Sequence, residues 1–515
     1  MDISEMLARN ARMFPDGVAL IERVPRKNLR SEVNWRELND RVDRIANALT
    51  QKGVKKGDTV IQWMMNSTSW FTAYFGIIRT GAVVVPLNFR FTAKDFKHCM
   101  EVAEPEAMII DEQFTSRVIE SGCRKISVIV NGTGTGEDME NLTELTARSS
   151  PEPFCTTIEP TDPCGLYFTS GTTGVPKPIL LTHNNMEHAA IIEVVHQLRR
   201  SGDIFVILKP LYHTGDFIHW LSSLILGEPA VIQGDKITPE AIFRVMSEER
   251  GSVCMLLVPW IQDILGELEA GTLKKSDYDL TDWRLLLLGA QPVPPSLITR
   301  WKKEFPDMIF DENYGLTEGT GPQCLHLGIE NEHKVGSIGK PGFNWEVKLV
   351  DDSGKDTPQG DVGEIVVRGN GVMKEYFKNP ELTAGTIKEG WLYTGDLARM
   401  DSEGFYWIVD RKKDVIICGG ENVYPTEVEE AIQTHPKIHD VAVIGLPDDR
   451  LGEIVTAVVK LKTNIPESSE TKNELSKFFE ENIARYKRPR RIIFDEVLRN
   501  PTGKLEKKEM RRKYA

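Results

Sequence analysis

The chain has 515 residues, 40% of them hydrophobic and 27% charged, with a formal net charge of -13. That length exceeds what one hydrophobic core serves, so at least two domains are expected, and the ordinary composition excludes a disordered or fibrous protein. The acidic balance argues against nucleic acid as a partner, because a phosphate backbone is met with basic surface.

The first residues, Met1 to Glu5, are polar and acidic. No basic segment followed by an apolar one is present there, so no signal peptide is read. The longest apolar runs, near 81–87 and 285–290, fall short of the ~20 residues that span a bilayer. A cytoplasmic protein with no transmembrane segment is expected. The seven cysteines are scattered without a C-x-x-C pair, which fits a reducing compartment and argues against a disulfide framework or a zinc site.

Residues 36–52 carry Leu38, Val42, Ile45, Ala46 and Leu49 at helical spacing. Short apolar runs at 59–64, 82–86 and 107–110 alternate with helical stretches, and the pattern returns at 204–208, 230–233, 253–258 and 285–288. This alternation predicts an α/β fold with two wound layers, one within about 1–160 and one within about 161–330. Strands at 347–350, 363–368, 391–396 and 405–409, divided by Gly, Asp and Pro turns, predict a small β-subdomain. From about 412 the pattern becomes α+β, with strands at 415–418, 441–445 and 455–461 and helices at 425–434 and 474–484. The charged run 410–414 suits a junction, so domains of 1–411 and 412–515 are expected. Residues 485–515 hold twelve Lys/Arg against four Asp/Glu, a basic tail that could meet a polyanionic small molecule or simply form a solvated face.

Several strings carry chemistry. Residues 169–176 hold four hydroxyls and two glycines ahead of Lys177. Such a loop can wrap phosphate oxygens with N–H and hydroxyl groups, with the lysine as a point charge. In Tyr314-Gly315-Leu316-Thr317-Glu318 the ring can stack on a base and the carboxylate can hold Mg²⁺ beside phosphates. The loop Gly289-Ala290-Gln291-Pro292 ends an apolar strand, where α/β folds bind ligands. Asp396, in Trp391-Leu392-Tyr393-Thr394-Gly395-Asp396, can accept two hydrogen bonds from a vicinal diol. Lys504, in Asn500-Pro501-Thr502-Gly503-Lys504-Leu505, sits on a glycine turn. Taken singly, each string also reads as an ordinary turn, and a tail lysine is usually solvated.

Together and in this order, the strings resemble those of the adenylate-forming superfamily, which comprises acyl-CoA synthetases, peptide-synthetase adenylation domains and beetle luciferase. The resemblance covers nearly the whole chain. It implies a large N-terminal adenylating domain and a small, mobile C-terminal one. It implies ATP contacts from Thr169, Ser170, Gly171, Thr172, Thr173, Gly174, Lys177, Gly289, Ala290, Gln291, Asn313, Tyr314, Gly315, Thr317, Asp396, Arg411 and Lys504. Thr169 and Glu318 would stand at Mg²⁺, and Lys504, Glu318 and Thr169 would be catalytic. Lys413 falls at the family's hinge position, and Gly419, Gly420 and Glu421 resemble the loop lining the tunnel for the coenzyme A arm. Asp410 stands where the family usually has Gly, and Leu498 where it often has Pro.

On the acyl side, Pro210-Leu211-Tyr212-His213-Thr214-Gly215-Asp216 resembles the motif that gates the acid pocket. Asp216 replaces a usual Gly there. It either shortens or polarises the pocket, or caps a helix at 217–226. His213, Asp216, Trp260, Gly289 and Gly315 are the pocket candidates; Trp220 is a further one, although a buried Trp, like Trp220 or Trp260, is more often plain core. The resemblance implies an ATP-dependent, AMP-forming ligase joining a small-molecule carboxylic acid, medium-chain or aryl, to coenzyme A. The alternative acceptor is the phosphopantetheine thiol of a carrier protein. A luciferase-like oxygenase would share every nucleotide motif, and a catalytically dead homologue would lack Lys504 or Glu318. A homo-oligomer is compatible with the sequence and not specified by it.

Overall fold

The computed structural model of the protein describes residues 1–122, 126–133, 139–169, 176–289, 293–326, 333–500 and 503–515. Two large sheets form the bulk of the molecule. The first orders the strands Glu375–Tyr376, Lys177–Thr182, Pro163–Thr169, Val83–Pro86, Thr59–Trp63, Ala107–Asp111, Ser127–Asn131 and Met139–Asn141. It is parallel except at its Lys177–Thr182 end, where two antiparallel pairings close the sheet. The second orders Ile309–Glu312, Leu285–Leu288, Val253–Leu256, Phe205–Ile207, Ala230–Gln233, Val18–Val24 and Leu29–Asn34.

The side-chain alternation of a strand explains the layering. In Leu285–Leu288, Leu285 and Leu287 enter one core, which the two sheets share, while Leu286 and Leu288 enter another on the far face. Val60 faces the shared core and Ile61 and Trp63 the outer core of the first sheet. Strands buried on both faces read as continuous apolar runs, as parallel sheets require. The helices Trp35–Gln51, Thr68–Arg79, His183–His196 and Thr214–Leu226 contribute to the shared core. Thr68–Arg79 is buried along almost its whole length. Trp220 lies in this core, packed on Phe71, Phe75 and Phe217.

The layer boundaries differ from the sequence expectation in two places. The hairpin of Val18–Val24 and Leu29–Asn34 joins the second sheet, because Leu20 pairs in parallel with Ala230. The strands Pro163–Thr169 and Lys177–Thr182 belong to the first sheet, where Gly165 pairs with Val84. Local alternation identifies strands but carries no information about which distant neighbour each one pairs with.

An antiparallel sheet of Trp345–Val350, Gly363–Gly369, Trp391–Met400, Ile387–Lys388 and Tyr406–Arg411 follows. The last part of the chain builds a separate sheet from Ile416–Cys418, Glu421–Val423, Ile438–Asp448, Gly452–Leu461 and Arg491–Phe494. Its two cores draw only on residues 416–514. The basic tail is heavily paired: Lys487 with Glu427, Arg499 with Asp440, Lys507 with Glu429, Arg511 with Asp414 and Lys513 with Asp495. Among the described residues no helix is long and apolar enough to cross a membrane, and the six described cysteines are free.

Candidate active site

One cavity of about 840 Å³ lies where the antiparallel sheet, the ends of the two large sheets and the C-terminal tail meet. Asp396, Arg411, Tyr314 and Lys504 illustrate how distant segments converge on it. The antiparallel register of Trp391–Met400 with Tyr406–Arg411 sets Asp396 directly opposite Arg411. Arg411 Nε lies 2.9 Å from Asp396 Oδ1, and Tyr314 Oη donates to Asp396 Oδ2 at 2.7 Å. Gly395 holds φ +74, a left-handed turn that other residues adopt at a cost, immediately before the aspartate. Burial and the neighbouring carboxylate push the Tyr314 phenol upward, so it stays a donor.

The second group is built on a hairpin. Thr169 and Lys177 are register partners across the strands that lead into and out of residues 170–176. Lys177 Nζ stands 5.2 Å from the centre of the Tyr376 ring, and Tyr376 Oη donates to Glu318 Oε1 at 2.9 Å. Glu318 occupies a short 3₁₀ turn, Thr317–Gly319. A Cβ on Gly315 would fall 2.4 Å from the carbonyl oxygen of Gly321, so close backbone approach demands glycine there. Gly289 is constrained in the same way by Asn313, whose backbone and side-chain oxygens would both lie 2.9 Å from an added Cβ.

Thr169, Lys177, Thr317 and Glu318 all line the cavity. A carboxylate beside a hydroxyl suits Mg²⁺, which takes one or two protein oxygens and completes its shell with phosphates and water. Among the described residues there is no cluster of three or more His, Cys, Asp or Glu that could hold a metal alone. The donor set therefore fits a metal that arrives with a nucleotide.

Lys504 is carried in by a closed turn. Gly503 holds φ +78, Gly503 N–H donates to the Asn500 carbonyl at 2.9 Å, and Lys504 N–H donates to Asn500 Oδ1 at 3.0 Å. Arg499 braces the turn, donating to the Gly503 carbonyl at 2.7 Å while its guanidinium grips Asp440. Burial, with Arg411 and Lys413 nearby, lowers the Lys504 ammonium to about 8, although Asp396 and Glu318 oppose that shift. The helix Pro425–Gln433 is tied to the same region through Asp410. Its Oδ2 accepts the Thr426 N–H at 2.8 Å, at the start of the helix Pro425–Gln433.

The end of the cavity lined by His213 and Asp216 is more polar than the sequence implied. The helix Thr214–Leu226 begins three residues before the expected 217, and its first cap residue, His213, makes no side-chain capping bond. Asp216 is therefore inside the first turn and caps nothing. It is fully buried, and its Oδ2 accepts the backbone N–H groups of Leu208 at 3.0 Å and Lys209 at 2.7 Å. Lys209 Nζ lies 3.2 Å from Asp216 Oδ1, and His219 Nδ1 pairs with Glu193 Oε2 at 2.7 Å. His213 is held neutral, pushed down to about 3 by burial and by the charges of Lys209 and Lys504.

Of the expected site residues, Thr169, Lys177, His213, Asp216, Asn313, Tyr314, Gly315, Thr317, Glu318, Asp396, Arg411, Lys413 and Lys504 line this one cavity. Ser170, Gly171, Thr172, Thr173, Gly174, Ala290 and Gln291 lie outside the described residues. Gly289 supports Asn313 from behind and does not line the cavity. Trp260 packs against the outer core of the second sheet, because its helix Val258–Ala270 turns that face to Leu286 and its neighbours. Gly419, Gly420 and Glu421 form an exposed hairpin turn away from the cavity, with both glycines at positive φ. Sequence reasoning missed Tyr376, Lys209, Glu193 and His219. Tyr376 had no motif around it, and the other three are singled out only by full burial of charged side chains, which no linear pattern reveals.

The cavity, with the Asp396–Arg411 pair and the Lys504 turn on its wall, fits a nucleotide-handling enzyme of two unequal parts. The family model described as AMP-binding enzyme matches residues 7–377, and that described as AMP-binding enzyme C-terminal domain matches 427–504. The chain belongs to the AMP-binding enzyme family. It is 32% identical to a feruloyl-CoA synthase of Amycolatopsis over 98% of this chain and 98% of that protein. It is also 32% identical to the long-chain-fatty-acid–CoA ligase FadD13 of Mycobacterium tuberculosis, over 100% of this chain and 99% of that protein. The crystal structure of the anthranilate CoA ligase AuaEII in complex with anthranoyl-AMP superposes with a TM-score of 0.91 at 26% identity, covering 100% of this chain and 97% of that one.

Proposed function

We propose that the protein is an ATP-dependent, AMP-forming carboxylic acid–CoA ligase for a medium-chain or aryl acid. The observation that carries this reading is the meeting of Asp396, Arg411, Tyr314, Glu318 and Lys504 around one cavity, although they come from 190 positions of sequence. Asp396 and Arg411 accept and donate to the ribose hydroxyls of ATP. Thr169 and Lys177 hold phosphate oxygens on either side of residues 170–176. Glu318 and Thr169 would hold Mg²⁺, which when bound neutralises phosphate charge.

In the first half-reaction the acid's carboxylate oxygen attacks the α-phosphorus, and the bond to the pyrophosphate oxygen breaks. Lys504, as the cation, stabilises negative charge developing between carboxylate and α-phosphate. In the second, the coenzyme A thiolate attacks the acyl carbon and AMP leaves as the phosphate oxygen–carbon bond breaks. We place the domain boundary at 411/412, with rotation about Lys413 withdrawing Lys504 and bringing the Gly419–Gly420–Glu421 turn to the cavity mouth. Support for this movement comes from the exposed position of that turn and from the separate cores of residues 416–514.

The test is release of pyrophosphate and AMP from ATP and Mg²⁺ across a panel of acids, with and without coenzyme A. Steady AMP formation that requires both one acid and coenzyme A is expected. Pyrophosphate release that coenzyme A leaves unchanged would instead assign a carrier-protein thiol as acceptor.

A further inference from the structure

Four charged or titratable side chains, Glu193, Lys209, Asp216 and His219, line the same cavity and are each at least 95% buried. Burying such groups is costly unless they are paired, and here the pairing is incomplete. Glu193 gives Oε2 to His219, but its Oε1 is buried with no hydrogen-bond partner among the described residues. Among the described residues Lys209 Nζ faces Asp216 Oδ1 at 3.2 Å and otherwise only the thioether of Met255, a weak acceptor. An ammonium has three N–H groups, so one donor remains open. The group stands directly beneath the helix Thr214–Leu226, since a Cβ on Gly215 would lie 3.1 Å from Lys209 Nζ. His213 lines the same cavity, near enough to both Lys209 and Lys504 for their charges to bear on it.

Resting on the ligase reading above, we propose that this cluster is a recognition site for an uncharged oxygen on the far end of the acid, a hydroxyl, phenol or carbonyl that takes a hydrogen bond from Lys209. A hydroxyl or phenol would also donate to Glu193 Oε1. Two carboxylates share this space with one ammonium, so a second carboxylate on the acid meets no net positive charge. A purely apolar tail leaves the open groups unsatisfied, and a site built to hydrogen-bond a substrate group discriminates strongly against analogues that lack it.

The experiment uses the full-length protein and matched acids: cinnamate against 4-hydroxycinnamate, decanoate against 10-hydroxydecanoate, and the C10 dicarboxylate. Dissociation constants are measured by calorimetry in the presence of AMP, and AMP formation with coenzyme A is measured separately. In at least one pair the hydroxylated acid is expected to bind roughly 10- to 100-fold tighter, the size of one charge-assisted hydrogen bond. The double substitution Lys209→Met/Asp216→Asn should abolish that preference. It removes both charges while leaving an oxygen to accept the Leu208 and Lys209 N–H groups, so the loop keeps its anchor. Lys209→Met alone should do the same if it folds. Equal binding within both pairs, tightest binding of the dicarboxylate, or an unchanged preference in the double variant would each overturn the proposal. A binding preference without AMP formation would keep this site and overturn the ligase reading instead.

Discussion

The two ends of the cavity are built by different means. At the nucleotide end, each group rides on a short string whose own backbone positions it: Asp396 after the Gly395 turn, Lys504 after Gly503, Glu318 in a three-residue 3₁₀ turn. At the acid end, Glu193, Lys209, Asp216 and His219 reach one place from two helices and the end of a strand, and their meaning lies in burial and pairing. Local geometry tolerates little variation and leaves a legible string. A pocket assembled from distant side chains leaves none, and its chemistry is free to differ from one family member to another.

The largest effect that would sharpen this contrast is at Lys504. Lys504→Ala should lower the rate of pyrophosphate formation by roughly 100- to 1000-fold, the scale on which losing one positioned transition-state group acts. Thioester formation from added acyl-adenylate should be nearly unchanged if, as proposed, the lysine acts only in the first half-reaction. Equal loss in both halves would mean that Lys504 holds the architecture and is not a reacting group.

Next in size is Asp396. Its two neighbours, Arg411 and Tyr314, both depend on it. Asp396→Ala should raise the KM for ATP by roughly 10- to 100-fold, since hydrogen bonds to charged groups contribute about 1.5–3 kcal/mol. Asp396→Asn keeps acceptor capacity but loses the charge that holds Arg411, and should fall between. An Asp396→Ala protein with normal KM for ATP and reduced kcat would move this corner from binding to catalysis.

A pH profile separates the ends further. Lys504 is lowered to about 8, so its cationic form is complete below that pH and lost as pH rises through it. If the cation is required, kcat/KM for the adenylation half-reaction falls on the alkaline side with a midpoint near 8, because kcat/KM reports groups of the free enzyme. Lys504→Arg should remove that limb, as guanidinium does not titrate there. His213, held near 3, contributes no limb between pH 5 and 9.

Much of the nucleotide end was legible in the sequence, and the reason is visible in the glycines. Gly315 and Gly289 stand where a Cβ would strike Gly321 or Asn313, so the strings that contain them are fixed by sterics. The helix Trp35–Gln51 and the helix Pro425–Gln433 fall within a residue of the positions their periodicity predicts. Strand partners were not legible: the Val18–Val24 hairpin closes the second sheet through a pairing more than 200 residues away. Trp260 and Asp216 show the same limit at the level of side chains. Both are residues whose type suits a pocket, and only the packing of their helices decides that one lines the cavity and the other does not.

The smallest predicted effect concerns Asp410, where the family usually has Gly. The residue is 4% exposed and accepts the N–H groups of its neighbour Arg411 and of Thr426, and the Lys507 ammonium is near enough to be stabilised by it. Its carboxylate therefore ties the strand that carries Arg411 to the helix that follows the Gly419–Gly420 turn. Asp410→Gly removes this tie without adding bulk. A single hydrogen bond to a charged acceptor is worth about 1.5–3 kcal/mol when buried, and water reaching the loosened junction offsets part of that. If the tie favours the arrangement in which Lys504 enters the cavity, the variant should lose a few-fold in pyrophosphate formation and gain, or hold, in thioester formation. Single-turnover measurement of the two halves reads that ratio directly. A parallel fall in both would assign Asp410 to the stability of the junction alone, and would leave the balance between the two halves to be set elsewhere along residues 411–414.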